Sequence, residues 1–175
     1  MKTESAAREL AESIVRIGTE AGLQTEAVLT AMDAPLGHAV GNAPEVVESL
    51  EVLKGRGPAD VRELSIVLTA RMLVVGRVER DETTARARAE RVLDSGEALE
   101  KFRSIVAAQD GDVFAIDDYS RLPQPTERRV VRASKAGVVT AIDAEVVGRA
   151  AVILGAGRDR VDDQVDPSAG IEVSV

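Results

Sequence analysis

From Val61 to Val75 the chain puts an apolar residue on nearly every face of a helix: Val61, Leu64, Ile66, Val67, Leu68, Met72, Leu73, Val74 and Val75. A helix with one apolar stripe needs one partner, whereas this one needs cover on several sides, so the pattern predicts a central, largely enclosed helix. The available cover is restricted. The 175 residues include one tyrosine, two phenylalanines and no tryptophan, so the core must be built from Ala, Val, Leu and Ile. That palette suits helices packed on a sheet, and the expected class is α/β.

Composition narrows the function classes. Hydrophobic residues make up 45% and charged residues 30%, the balance of a soluble globular chain rather than a disordered one. No apolar run approaches the ~18 residues of a membrane span, and the opening MKTESAARELAES lacks the apolar core of a secretory signal. There is no cysteine, so disulfides and thiolate metal sites are excluded, which fits a cytoplasmic protein. A net charge of −8 argues against a nucleic-acid surface, and the scarcity of aromatic rings argues against base stacking.

Along the chain, Ala7, Leu10, Ile14 and Ile17 predict an amphipathic helix over 4–18, with Thr3 as its cap. Residues 25–32 (TEAVLTAM) read as a buried strand and 33–41 as a loop. Asn42 is expected to cap a helix running to about Lys54, with Glu45 completing a capping box and Val46, Val47, Leu50 and Leu53 buried. Gly57-Pro58 opens the apolar helix. Two further helices are expected at 83–93 and 97–109, then a polar loop. RRVVRASKAGVVTAI reads as two strands about a Lys135-Ala136-Gly137 turn, followed by an Asp143-capped helix over 144–154 and a final strand in IEVSV. The expected organisation is an α/β part over 1–110, a connecting loop over 111–127, and a small α+β section over 128–175.

Most motifs have a structural explanation. His38, the single histidine, has no nucleophile or orienting partner in view and reads as non-catalytic. Gly155-Ala156-Gly157 follows a helix rather than a strand, so it reads as a helix end and not a phosphate loop. Asp162, Asp163 and Asp166 miss the EF-hand spacing and read as a solvated acidic loop. The segment 36–48 is different. Gly37 and Gly41 permit backbone conformations closed to other residues and can turn carbonyl oxygens inward, while Glu48 lies two turns into the next helix. Carbonyls with one carboxylate are hard oxygen ligands, suited to an alkali or alkaline-earth cation.

That stretch also carries a resemblance. MDAPLGHAVGNAPEVVESLEVLKGRGP, residues 32–58, resembles the signature of the thymidine and pyrimidine-nucleoside phosphorylases, approximately P-L-G-x-x-V-G-N-x-x-E-V-x-E-x-x-x-x-L-x-G-x-G-P. The opening MKT is similar to the end of the family's G-A-F-M-K-T, and Ala107-Ala108-Gln109 to the end of a later helix. LGAGRDRVDDQVDPSAGIEV, residues 154–173, resembles L-G-A-G-R…D-x-x-D-x-x-V-G-I.

The resemblance implies a partial α/β domain of the nucleoside phosphorylase fold, its helices packed on a mixed sheet, followed by a small α+β C-terminal section. It implies an enzyme in which phosphate attacks C1′ of a pyrimidine nucleoside such as thymidine, releasing the base and a sugar 1-phosphate. The phosphate loop (K-x-S-T-G-G-x-G-D type) and the base-binding R…S…K set of the family are absent from these 175 residues, so no catalytic or substrate-binding residue is expected here. The chain reads as a middle-to-C-terminal portion, inactive alone and prone to expose apolar surface. The resemblance carries one site, a partial potassium site of Leu36 and Ala39 (carbonyls) and Glu48 (carboxylate). It further implies phosphate and nucleoside as partners and a homodimer when complete. The rivals are a non-catalytic module of the same fold and a nucleoside-monophosphate phosphorylase or phosphoribosyltransferase relative.

Overall fold

The structure is a computed structural model that describes residues 3–174; Met1 and Lys2 of the opening triplet, and Val175, lie outside the described residues. Helices dominate. In chain order they are α1 (Glu4–Glu20), α2 (Asn42–Leu53), α3 (Ala59–Val75), α4 (Glu82–Asp94), α5 (Glu97–Ala108) and α6 (Ala144–Ile153). Two short 3₁₀ turns, Val113–Ile116 and Tyr119–Arg121, follow α5. The sheet among the described residues is one antiparallel pair, β1 (Ala39–Gly41) with β2 (Gly170–Glu172). The α/β class therefore holds, and no described helix is long and apolar enough to cross a membrane.

Side-chain caps set several boundaries. Thr3, Asp81 and Asp143 each accept a backbone N–H three residues on, at the starts of α1, α4 and α6. Gly155, at φ +104°, lies just beyond the end of α6, as a helix-ending glycine should. The start of α2 departs from expectation. Gly41, not Asn42, holds the cap position, and Glu45 Oε1 accepts its N–H at 2.8 Å. The Asn42 amide is engaged elsewhere: its Nδ2 donates to the Ala156 carbonyl, 114 residues away in sequence.

The main helical core lies between α3 and α4. Ile66 and Ala70, one turn apart, face inward from α3, and Ala85 and Ala89 do so from α4. Small side chains at four-residue spacing let two helices approach closely. Arg62–Asp94 (2.7 Å), Arg86–Glu63 (2.6 Å) and Arg71–Glu82 (3.0 Å) bridge the pair along its solvent edge. Such exposed pairs each contribute about 1 kcal/mol or less.

Three expectations need correction. The α3 helix is enclosed on one side only: Leu68 and Met72 are 42% and 70% exposed, because α4 covers just the Ile66–Ala70 face. Of the four residues expected to be buried on α2, Leu50 is buried but Val46 is exposed, and Val52 is buried instead. Neither 25–32 nor 128–142 forms strands. Both run as exposed chain, with Met32 78% and Val131 88% accessible. Their β-branched, apolar composition marks them as fit for a sheet, but a strand exists only with a partner to complete its hydrogen bonds, and no described residue pairs with them.

The α3–α4 contact yields a paired test. Ala85 is fully buried and Ala87, on the same helix, is exposed. Ala85→Leu should cost about 1–3 kcal/mol through overpacking, whereas Ala87→Leu should be near neutral. Urea denaturation checks both; equal midpoints for the two variants would mean the helices do not meet at Ala85.

Candidate functional site

The β1–β2 register, Ala39 to Glu172, Val40 to Ile171 and Gly41 to Gly170, brings the C-terminal section against the glycine-rich loop. It needs bare backbone at the crossing. A Cβ on Gly41 would lie 2.5 Å from the Ala169 carbonyl oxygen, and one on Gly170 would lie 2.7 Å from that of Val40. Ala43 N–H also donates to the Pro167 carbonyl at 2.9 Å, extending the seam into α2.

Hydrogen bonds then fix the loop itself. The N–H groups of His38 and Ala39 both donate to Glu48 Oε1, at 2.7 and 3.1 Å. Gly37 N–H donates to Asp60 Oδ2 at 2.9 Å. Val173 N–H donates to the His38 carbonyl at 2.8 Å. The His38–Ala39 peptide is thus gripped from both sides, its carbonyl by β2's continuation and its N–H by Glu48. In an antiparallel ladder bonded pairs alternate with non-bonded ones, so the next bonded pair is Val40–Ile171. Val40 N–H therefore faces β2, and the Ala39 carbonyl, on the opposite side of the same peptide, faces the Glu48 side. The carbonyl of Leu36 and the second carboxylate oxygen of Glu48 accept no hydrogen bond from a described residue.

The structure brings the three expected ligands into one neighbourhood. Ala39 is bonded to Glu48 directly, and Leu36 precedes Gly37, which sits against that carboxylate. A Cβ on Gly37 would lie 2.2 Å from Glu48 Oε2, and its φ of +70° is one that L side chains rarely adopt. A glycine is required there twice over. An open cleft of about 350 Å³ adjoins the loop, lined by Pro35, Gly37, His38, Ala59, Asp60, Ile142 and Val173. The Gly37 N–H holds the Asp60 carboxyl below the usual carboxylate range, outweighing partial burial. No cluster of three or more His, Cys, Asp or Glu able to hold a metal occurs among the described residues, so carbonyl oxygens would have to supply most ligands.

The far end of α2 carries a second network that the sequence did not reveal. Glu51 accepts a two-point contact from Arg56 (Nε and Nη2, both 2.8 Å) and the Tyr119 hydroxyl proton. Lys54 Nζ donates to the Ile116 carbonyl and to the Tyr119 oxygen, and sits 4.5 Å from that ring's centre. Arg56, then Tyr119, draw the Glu51 carboxyl from 4.5 to about 2, while burial, then Glu51, push the Tyr119 hydroxyl up to about 12. The network pins both 3₁₀ turns to α2. Arg56 and Lys54 face a carboxylate and carbonyl already in place, so the arrangement is a clasp rather than an open anion site. Asp60 also escaped the sequence reading, which did not single it out.

Comparison with known proteins bears on the whole arrangement. Residues 1–99 match the model of the glycosyl transferase family a/b domain, and residues 138–175 match that of the pyrimidine nucleoside phosphorylase C-terminal domain. The chain belongs to the pyrimidine-nucleoside phosphorylase family. The pyrimidine-nucleoside phosphorylase of Bacillus subtilis (strain 168) is 46% identical over 171 residues, spanning 98% of this chain. Those of Staphylococcus aureus strains bovine RF122 / ET3-1 and USA300 are 41% and 40% identical over the same length. The chain spans 40% of the length of each of these relatives. The two matched segments meet at the loop: β1 lies in the first and β2 in the second.

Two outcomes follow from the geometry. Gly37→Ala should cost about 1–2 kcal/mol from its backbone angle alone and push the Glu48 carboxylate away. Amide hydrogen exchange at His38 and Ala39 should then accelerate, and unchanged exchange would contradict the packing described. At the other end of α2, Glu51 has a folded pKa below its ordinary one. Its stabilisation is complete above about pH 4.5 and disappears as the pH falls toward about 2. Glu51→Gln should therefore flatten the acid limb of the stability profile across that window, read from the near-ultraviolet signal of Tyr119, the chain's single tyrosine.

Proposed function

We propose that this chain supplies the scaffold and the cation loop of a pyrimidine-nucleoside phosphorylase that converts thymidine and phosphate to thymine and 2-deoxyribose 1-phosphate. In that reaction a phosphate oxygen forms a bond to C1′ while the bond from C1′ to the base nitrogen breaks, its electron pair leaving with the base. The transition state carries positive charge on the sugar, so placing phosphate against it is the main catalytic task. The complete enzyme acts in the cytoplasm as a homodimer.

The observation that carries this reading is the convergence on Glu48. Within a chain of this family, the Leu36 carbonyl accepts no hydrogen bond from a described residue, and strand pairing turns the Ala39 carbonyl to the side of a carboxylate held in place by two backbone N–H groups. A rigid, oxygen-only half-shell with one negative charge suits potassium better than a transition metal. When bound, the ion supplies positive charge to offset phosphate. The chain's own residues hold the loop: Glu48 restrains two amides, and Val173, just beyond β2, holds the His38 carbonyl away from the ligand side.

The remaining expected ligands, and the groups that bind phosphate and base, belong to motifs that these 175 residues do not contain. On this reading residues 1–175 alone release no thymine from thymidine in the presence of phosphate and potassium, followed by chromatography of the free base. Turnover by this chain would overturn the assignment of catalysis to other segments and place a complete site within it. In a complete phosphorylase containing this segment, Glu48→Gln should raise the half-saturating potassium concentration by more than roughly tenfold, the lower bound usual for lesser, outer-shell changes. An unaltered potassium titration would reject the ion site.

A further inference from the structure

Two carbonyls are offered to the cation, and they are aimed by different means. The Ala39 carbonyl belongs to a peptide unit whose N–H, that of Val40, is committed to the β1–β2 ladder. Its direction follows from strand pairing. The Leu36 carbonyl has no such support, because it lies outside β1 and is followed by glycine. Glycine leaves neighbouring peptide planes freer to turn than any other residue, so sequence-local preference does not fix this carbonyl. Something else must.

Among the described residues, one hydrogen bond restrains that unit. The described residues contain no cis peptide bond, and in a trans unit the C=O and N–H point in opposite directions. The N–H of the Leu36 unit is that of Gly37, and it donates to Asp60 Oδ2 at 2.9 Å. Asp60 is itself fixed. It lies in the first turn of α3, and its other oxygen accepts the Val61 N–H at 2.9 Å. A rigid carboxylate therefore grips one end of the Leu36–Gly37 unit and sends the carbonyl at the other end away from α3.

We propose that Asp60 is a positioning residue of the cation loop: by accepting the Gly37 N–H it aims the Leu36 carbonyl at the ion. The proposal rests on the reading of Leu36, Ala39 and Glu48 as ligands. It divides the labour among three elements. The α2 helix supplies Glu48, β2 orients the Ala39 carbonyl, and α3, through Asp60, orients that of Leu36. An aspartate in a first helical turn also has a generic effect on the helix dipole, worth a few tenths of a kcal/mol to about 1 kcal/mol. That effect stabilises α3 but does not select between the two carbonyls, so the two roles separate experimentally.

The test uses a complete phosphorylase containing this segment, labelled with ¹³C and ¹⁵N and titrated with potassium chloride against choline chloride at constant ionic strength. In the wild type the carbonyl ¹³C shifts of Leu36 and Ala39 should follow one saturable potassium-dependent curve. Asp60→Ala should raise the half-saturating concentration roughly tenfold, diminish the Leu36 response more than that of Ala39, and accelerate exchange of the Gly37 amide. Asp60→Asn keeps an acceptor oxygen and should recover most of the affinity; it also carries the test if the alanine variant does not fold. A wild type that responds while Asp60→Ala binds with the same midpoint would overturn the role of Asp60 and leave the ion site standing. So would an asparagine variant that, once folded, binds as weakly as alanine. If the wild type gives no saturable shift at either carbonyl, the ion reading itself falls and takes this inference with it.

Discussion

The site depends on a grip on one peptide unit. The His38–Ala39 peptide is held by Val173 N–H at its carbonyl and by Glu48 at its N–H. Rotating that unit would break a hydrogen bond on each side, and leaving either partner unpaired in a partly buried position costs about 1–3 kcal/mol. Everything nearby follows from this grip. It sets the ladder's phase, which turns the Ala39 carbonyl toward Glu48. It brings the C-terminal section against a loop about 130 residues earlier, at glycines that leave room for the crossing. The pair of strands is short, but it need not be long to set an orientation.

The α2 helix transmits that order in both directions. Glu45, Glu48 and Glu51 recur every three residues and engage, in turn, the Gly41 amide, the loop amides and the Tyr119–Arg56 clasp. One helix thus fixes the entry to its own first turn, the glycine-rich loop, and the two 3₁₀ turns after α5. Buried Leu50 and Val52 anchor it to the rest of the molecule. Three carboxylates so close together on one element would repel one another if bare. Each is instead matched by hydrogen-bond donors, which is why the helix tolerates them.

Much of this was legible in the sequence where the determinants are local. Caps at Thr3 and Asp143, the helix-ending glycines and the span of α2 follow from side chains adjacent in sequence. The expectation of cation ligands at Leu36, Ala39 and Glu48 came through family resemblance, since turn glycines alone are common. The misreadings share a cause. Asn42 was expected to cap α2, but its amide is taken by Ala156, a contact no local rule can see. TEAVLTAM and RRVVRASKAGVVTAI have the composition of strands, yet a strand is a property of two segments, and no described residue pairs with either. Asp60 was invisible for a subtler reason. Its contribution passes through the orientation of a peptide plane, which leaves no residue-type signature at Leu36.

The proposed monovalent-cation site is made of the Leu36 and Ala39 carbonyls together with Glu48. Diffraction from crystals of a complete phosphorylase containing this segment, soaked in a thallium(I) salt as a heavy surrogate for potassium, addresses it most directly through thallium's anomalous signal. The account predicts an anomalous peak within coordination distance of both carbonyl oxygens and the Glu48 carboxylate, lost when excess potassium competes. A map whose peaks lie elsewhere, with these three groups bare at saturating thallium, would contradict it.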